Sequence, residues 1–223
     1  MKKTFDFLRI LDKNNNREWF QSNKNQYVEA HEEMIGFADL LIEEMNKHDV
    51  IQTDSGKRSL YRIYRDVRFG KDKTPYKTNW AGYLRRATAE RRGGYYYQVG
   101  PMGSFVMGGF FGPNPQDLLH IRKHLEQDAD PLRDVINSNE FNGFFGEMLG
   151  SQLKTAPKGF DKDHPDIDLL RYKQFMVRHD FTQKEALSKD FHLTVANAFV
   201  QMRPFFDCMS DILTSDLNGE SLL

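Results

Sequence analysis

The sequence has little cysteine, and it has no long apolar segment. Cys208 is the single cysteine among 223 residues, so no internal disulfide can form, which is typical of a protein from a reducing compartment. No stretch approaches the roughly 18 consecutive apolar residues that a membrane-spanning helix needs. Residues 1–7 include two lysines but no apolar run of signal-peptide length. We therefore expect a cytoplasmic protein without a membrane partner.

Aromatic and charged residues are present in the amounts typical of a folded chain. Hydrophobic residues make up 39%, aromatic residues 13% and charged residues 28% of the sequence, which is too apolar for a disordered protein. A chain of this length can bury roughly 70% of its unfolded surface and needs no cross-links to hold a core. Nothing resembles a linker or a repeat, and we predict a single domain over residues 1–223.

Positive charge is concentrated in one part of the chain. The net charge is −1, but residues 57–92 contain twelve Lys and Arg against three Asp and Glu, which gives this stretch a net charge of +9. The rest of the chain therefore carries −10. Such asymmetry is typical of proteins with an anionic partner, although solvated strand faces would produce the same pattern.

Apolar residues recur at helical spacing at both ends of the chain. A first helix is indicated by the spacing of Phe5, Leu8 and Leu11. It should end at the three asparagines of residues 14–16, which are good capping residues. One or two helices are predicted over residues 17–47. Three further helices are expected over residues 116–127, 139–149 and 189–202, and Pro204 should end or kink the last of them.

Strand patterns dominate the middle of the chain. Turn residues separate short apolar runs between residues 60 and 111, and consecutive strands joined by short turns pair antiparallel. In the first run the apolar residues stand at alternate positions, and the other face would carry Arg62, Tyr64, Asp66 and Arg68. The apolar positions are Tyr61, Ile63, Val67 and Phe69. The predicted strands are 61–69, 80–87, 95–99, 105–111 and, later in the chain, 173–179. The predicted fold is α+β, with a mainly antiparallel sheet of about four to six strands packed against helices from both chain ends.

One motif resembles a known family signature. The run Arg62-Ile-Tyr-Arg-Asp-Val-Arg-Phe69, followed by Asp72-Lys73 and Tyr76, resembles the signature of an uncharacterised bacterial family, domain of unknown function 2461. The segment Asn14-Asn-Asn-Arg-Glu-Trp-Phe20 and the pair Gly108-Gly109 resemble the same family. The resemblance implies one fold along nearly the whole chain and a site at the motif, and it implies no activity.

The motif carries the groups of an anion site. Guanidinium and ammonium groups bind phosphate and carboxylate, and Pro75 holds Thr74 extended beside Tyr76. Asp66 could orient the arginines or act as a base, and Tyr76 could donate a hydrogen bond or a proton. We predict a small-molecule site, which could be enzymatic, for a phosphate- or carboxylate-bearing ligand. Its predicted ligand-binding residues are Arg62, Arg65, Arg68, Lys73 and Lys77, and its predicted catalytic residues are Asp66 and Tyr76.

Two alternatives use the same residues differently. The basic sheet face could bind nucleic acid or a protein, with tyrosines such as Tyr61, Tyr64 and Tyr83 as stacking surfaces. The arginines and aspartates could also form a purely structural network. No metal site is predicted, because His120 and His124 lack the Glu of a His-Glu-x-x-His motif. The sequence specifies no cofactor and leaves open whether the protein is an enzyme.

Overall fold

Eleven helices and four strands are present in the computed structural model, which describes residues 1–223. The α+β class predicted from the sequence is confirmed. None of the helices is long and apolar enough to cross a membrane. The helices are α1 Lys2–Lys13, α2 Arg17–Ser22, α3 Lys24–Met45, α4 Gly56–Ser59, α5 Pro115–Gln127, α6 Asp130–Asn137, α7 Asn139–Phe145, α8 Ile167–Leu170, α9 Gln183–Ala186, α10 Phe191–Gln201 and α11 Arg203–Thr214. The strands are β1 Trp80–Arg85, β2 Gly94–Val99, β3 Ser104–Phe110 and β4 Phe175–Phe181.

The four strands form one antiparallel sheet in the order β1-β2-β3-β4. Burial alternates strictly along β3, where Ser104, Val106, Gly108 and Phe110 are buried and the residues between them are partly exposed. Alternation of this kind is expected for an antiparallel sheet with one packed face and one face towards solvent. The strands predicted at 80–87, 95–99, 105–111 and 173–179 are thereby confirmed within two residues at their ends.

The chain divides into two compact units. The first comprises residues 1–85, 96–106 and 180–198. In this unit α1 and α4 both pack against α3. Its core is aromatic: the largest fully buried side chains include Phe20, Trp80 and Tyr97.

The second unit comprises residues 86–95, 107–179 and 199–223. In it α11 packs against α5 and α6. Arg86, also in this unit, is buried. Its guanidinium group donates to Asp207 at 2.8 Å and to the carbonyl oxygen of Arg92 at 2.9 Å. A buried guanidinium needs such partners, because an unpaired buried charge is strongly destabilising.

The strand predicted over residues 61–69 does not form. Instead, residues 60–82 make an irregular antiparallel hairpin, which we call the basic hairpin, with isolated bridges between Leu60 and Gly82 and between Tyr64 and Tyr76. Beyond Arg65 the chain leaves the paired region, because Asp66 and Asp72 accept hydrogen bonds from backbone N–H groups two residues ahead and so favour turns. We call residues 66–74 the tip loop.

Two helix boundaries also differ from the sequence pattern. The break within residues 17–47 falls at Asn23, between α2 and α3, and the glycine of α3 at position 36 leaves that helix continuous. Pro204 does not simply end a helix: α10 ends at Gln201, and Pro204 lies in the first turn of α11, where its missing N–H is not needed.

The C-terminal segment is attached to α5 through two histidines. His120 and His124 each direct Nε2 at the carbonyl oxygen of Ser215, at 2.9 and 3.1 Å. Since a carbonyl oxygen accepts hydrogen bonds, both ring nitrogens are donors here. The pair therefore serves to hold the chain after α11.

Gly82 and Gly36 offer a matched pair of substitutions in the first unit. A Cβ at Gly82 would lie 2.3 Å from the Tyr97 ring, whereas a Cβ at Gly36 would meet nothing within 4 Å. Gly82→Ala should therefore lower the free energy of unfolding by about 1–3 kcal/mol. Gly36→Ala should raise it by about 1 kcal/mol, because glycine is a poor residue for a helix interior. Urea unfolding measures both changes. If the two substitutions changed the free energy of unfolding in the same direction, the packing described for β1 would be contradicted.

The histidine pair predicts how stability depends on pH. Burial and the neighbouring His120 lower the pKa of His124 from its ordinary 6.5. His124 therefore binds a proton more readily in the unfolded chain than in the folded one. The contribution of neutral His124 to folding stability is present above about pH 6.5 and is lost as the pH falls. The drop in Tm between about pH 8 and about pH 5.5 should be smaller in His124→Gln than in the wild type, by scanning calorimetry. His192→Gln is the control, and an identical drop in all three proteins would refute this role.

Candidate functional site

The basic hairpin places the motif beside the connection between α1 and α2. Tyr61 N–H donates to Ala81, Lys77 N–H to Ile63 and Arg65 N–H to Pro75, at 2.8–2.9 Å. These bonds make the two arms antiparallel up to Pro75. The tip loop then projects beyond the paired region, with Phe69 92% exposed.

Asn15 attaches the hairpin to the helices. Its side-chain amide donates from Nδ2 to the carbonyl oxygen of Tyr76 at 2.9 Å, and its Oδ1 accepts from the Tyr76 N–H at 3.1 Å. The Tyr76 ring stacks on Phe20 of α2, with centroids 4.0 Å apart and planes 12° from parallel. The backbone and the side chain of Tyr76 are therefore both fixed.

A polar cleft lies where these elements meet. It has a volume of about 370 Å³, and every residue lining it has a polar side chain. We call it the polar cleft. It is lined by Asp12, Asn15, Arg65, Asp72, Thr74, Tyr76, Lys77, Thr78 and Asn79.

A second, more open depression adjoins the polar cleft. It has a volume of about 580 Å³ and shares Asn15, Asp72 and Thr74 with the polar cleft. We call it the outer cleft. Its lining includes the cations Arg17 and Lys73.

Asp72 organises the wall that the two clefts share. Its Oδ1 accepts from the N–H of Thr74 at 2.9 Å and from the Thr74 hydroxyl at 2.8 Å, and its Oδ2 accepts from Arg65 Nη1 at 2.5 Å. The Thr74 N–H, together with Arg65 and the Thr74 hydroxyl, lowers the pKa of Asp72 to about 2. Asp72 is therefore ionised at neutral pH and acts as an anchor for Arg65.

Arg65 retains donors after this pairing. Only Nη1 is bonded to the protein, to Asp72 and to the hydroxyl of Thr74, while Nε and Nη2 have no protein partner. The guanidinium is partly exposed and lines the polar cleft. Two donors of Arg65 thus remain for a bound group.

Lys77 is the second cation of the polar cleft. It is half-buried and forms no ion pair with a carboxylate. Its Nζ lies 5.7 Å from the centroid of the Tyr61 ring, a cation–π contact. Burial, and then the charge of Arg62, lower the pKa of Lys77.

Three predicted site residues lie outside both clefts. Asp66 holds Arg68 in a bidentate pair, with Oδ1 2.9 Å from Nε and Oδ2 2.7 Å from Nη2, and both side chains are exposed. Asp66 does not bridge two arginines as expected, because Arg62 forms no ion pair with it. Arg62 is exposed on the same arm and acts only through its charge, which helps to lower the pKa of Asp66.

The other predicted residues reach a cleft. Arg65, Tyr76 and Lys77 line the polar cleft, and Lys73 lines the outer cleft. Lys73 Nζ donates to the carbonyl oxygen of Val67 at 2.8 Å, so part of its capacity is used inside the tip loop. The structure thus brings together four of the seven residues.

The sequence interpretation missed the polar groups from outside the motif. Asp12 lies at the end of α1, Asn15 in the connection between α1 and α2, and Arg17 at the start of α2. Thr78 and Asn79 follow the motif directly. The run of three asparagines at 14–16 was the available signal, because it belongs to a segment that also resembles the family.

Other reactive groups are held in structural roles. No group of three or more His, Cys, Asp or Glu side chains is arranged to hold a metal ion. Burial raises the pKa of the Cys208 thiol to about 11, so it is almost entirely protonated at neutral pH. Neither observation adds a second candidate site.

Comparison with known proteins agrees with the motif. The sequence pattern described as "Conserved hypothetical protein (DUF2461)" matches residues 3–208, which includes the whole basic hairpin and both clefts. No curated protein and no solved structure matches the chain significantly. The resemblance carried by the arginine motif is therefore confirmed over almost the full length, and the chain belongs to the DUF2461 family.

Proposed function

We propose that the polar cleft binds a small ligand that carries a phosphate or carboxylate group. The observation that supports this best is Lys77, a half-buried ammonium group that lines the cleft and has no carboxylate partner. Desolvation makes its charge unfavourable in the free protein. A bound anion would remove this cost, which gives the site an affinity for anions.

Arg65 supplies the second cation of the proposed site. Asp72 and Thr74 fix its Nη1, so that Nε and Nη2 are held in a defined orientation without further ordering. The planar arrangement of guanidinium donors suits the oxygens of phosphate and carboxylate. Asp72 is ionised, but its charge is compensated by Arg65, so it opposes an anion less than a free carboxylate would.

Neutral polar groups complete the proposed site. Asn15, Thr78 and Asn79 provide hydrogen-bonding side chains around the two cations. Tyr76 forms part of the wall of the cleft but is almost fully buried, and burial raises the pKa of its hydroxyl. A cleft lined only by residues with polar side chains favours a small polar ligand over an apolar one.

A structural role for the tip loop is the second candidate. Asp66 pairs with Arg68, Asp72 pairs with Arg65, and Lys73 donates to the carbonyl oxygen of Val67. These contacts hold the tip loop without a ligand. Exposed pairs of this kind contribute little stability individually. The two candidates differ in what they require of Lys77, which takes no part in the loop network.

Anion binding can be measured with inorganic phosphate and a matched set of variants. Phosphate should raise the Tm of the wild-type protein, and calorimetric titration should give a dissociation constant. Lys77→Met should weaken binding by about tenfold or more, since a charge-assisted hydrogen bond contributes about 1.5–3 kcal/mol. Lys71→Met is the matched control, because Lys71 is an exposed tip-loop lysine that lines neither cleft.

The same series separates the competing functions. Equal weakening by Lys71→Met and Lys77→Met would indicate diffuse attraction to a basic surface and would contradict the cleft. Absence of any phosphate effect, together with a lower Tm of Arg68→Ala, would favour the structural network. Binding of oligonucleotides alone, lost with rising salt, would favour the nucleic-acid module.

A further inference from the structure

The polar cleft borders an exposed aromatic side chain. Lys77 belongs to the lining of the cleft, and its Nζ also lies over the Tyr61 ring. Tyr61 is 47% exposed, so a large part of its side chain is accessible to solvent. A planar group attached to an anion at Lys77 would therefore lie next to an aromatic ring.

Tyr61 is the first of a row of aromatic rings in the same unit. The Tyr61 centroid lies 6.4 Å from that of Tyr96, and the Tyr96 centroid lies 5.9 Å from that of Phe105. Both Tyr96 and Phe105 are partly exposed, whereas their strand neighbours Tyr97 and Val106 are buried on the packed face of the sheet. The row therefore continues the aromatic surface from the cleft across the solvent face of β2 and β3.

Asp12 adds a group that an anion alone would not need. Its carboxylate lines the polar cleft and has no hydrogen-bond or ion-pair partner in the protein. A free carboxylate opposes a phosphate but accepts hydrogen bonds from hydroxyl groups. The cleft thus combines two cations with an acceptor that suits a sugar.

We propose that the ligand of the polar cleft is a free mononucleotide. Its phosphate binds Lys77 and Arg65, a sugar hydroxyl donates to Asp12, and its base stacks on Tyr61. This inference rests on the proposed anion site. A free nucleotide suits the cleft better than a nucleic-acid strand, because the cleft holds only a small ligand and contains two cations rather than a path of phosphate contacts.

Calorimetric titration with fragments of a nucleotide tests the proposal. Wild-type protein is titrated with AMP, UMP, ribose 5-phosphate, adenosine and inorganic phosphate. AMP should bind about tenfold or more tightly than ribose 5-phosphate, because stacking of one base on an aromatic ring contributes about that factor. Tyr61→Leu should abolish this difference, because ribose 5-phosphate has no base to stack on the ring.

Two further variants locate the other contacts. Asp12→Asn should weaken ribose 5-phosphate binding but leave inorganic phosphate unchanged or bound more tightly. Phe111→Leu, which changes an exposed aromatic residue of the other unit, is the matched control for Tyr61 and should bind every ligand as the wild type does. The Tm of each variant without ligand verifies that it is folded.

The outcomes distinguish this inference from the anion site on which it rests. Equal binding of AMP and ribose 5-phosphate, unaffected by Tyr61→Leu, would overturn the mononucleotide and leave the anion site standing. Binding of adenosine as tight as that of AMP would overturn both. Binding of a single-stranded oligonucleotide, such as a thymidine hexamer, without binding of AMP would also overturn the mononucleotide.

Discussion

The side chain of Asn15 makes with Tyr76 the same pair of hydrogen bonds that a neighbouring strand would make. One amide satisfies both the N–H and the carbonyl oxygen of a residue 61 positions later in the chain. The backbone of Tyr76 is therefore fixed against the connection between α1 and α2, and the Tyr76 ring is stacked on Phe20. Both clefts include Asn15 in their lining, so the site exists only where this contact holds the hairpin.

The charge of the basic hairpin has two different uses. Both carboxylates of the tip loop are paired with an arginine, Asp66 with Arg68 and Asp72 with Arg65. In the polar cleft Lys77 remains without a carboxylate, and burial lowers its pKa. The net charge of +9 over residues 57–92 is therefore a weaker indication of an anion site than the burial and pairing of one lysine.

The elements with a regular pattern could be predicted from the sequence. The apolar spacing of α1 and α10, and the short runs of β1, β2 and β3, each depend on local periodicity and appear where the pattern indicates. Periodicity failed over residues 61–69. Ile63 is buried as the alternation predicts, but Phe69 is 92% exposed, and turn-forming aspartates prevent a continuous ladder. A short alternating pattern therefore does not show which backbone groups are paired, and without that pairing it does not show which side chains are buried.

The candidate site was only partly visible in the sequence for a related reason. The motif indicated Arg65, Tyr76 and Lys77, which lie in the polar cleft, but it gave equal weight to Arg62 and Arg68, which do not. The difference depends on which direction the hairpin arm turns each side chain. Asn15 and Asp12 come from a distant segment, and only the folded chain places them beside the motif.

The most direct test of this account is the titration of Lys77 itself, followed by NMR of lysine side chains labelled at Cε, with Lys77→Met to assign the signal. Without ligand, the pKa of Lys77 should lie below the ordinary lysine value of 10.5, and saturating phosphate should raise it. A Lys77 signal that titrates together with those of exposed lysines and does not respond to phosphate would contradict the proposed site.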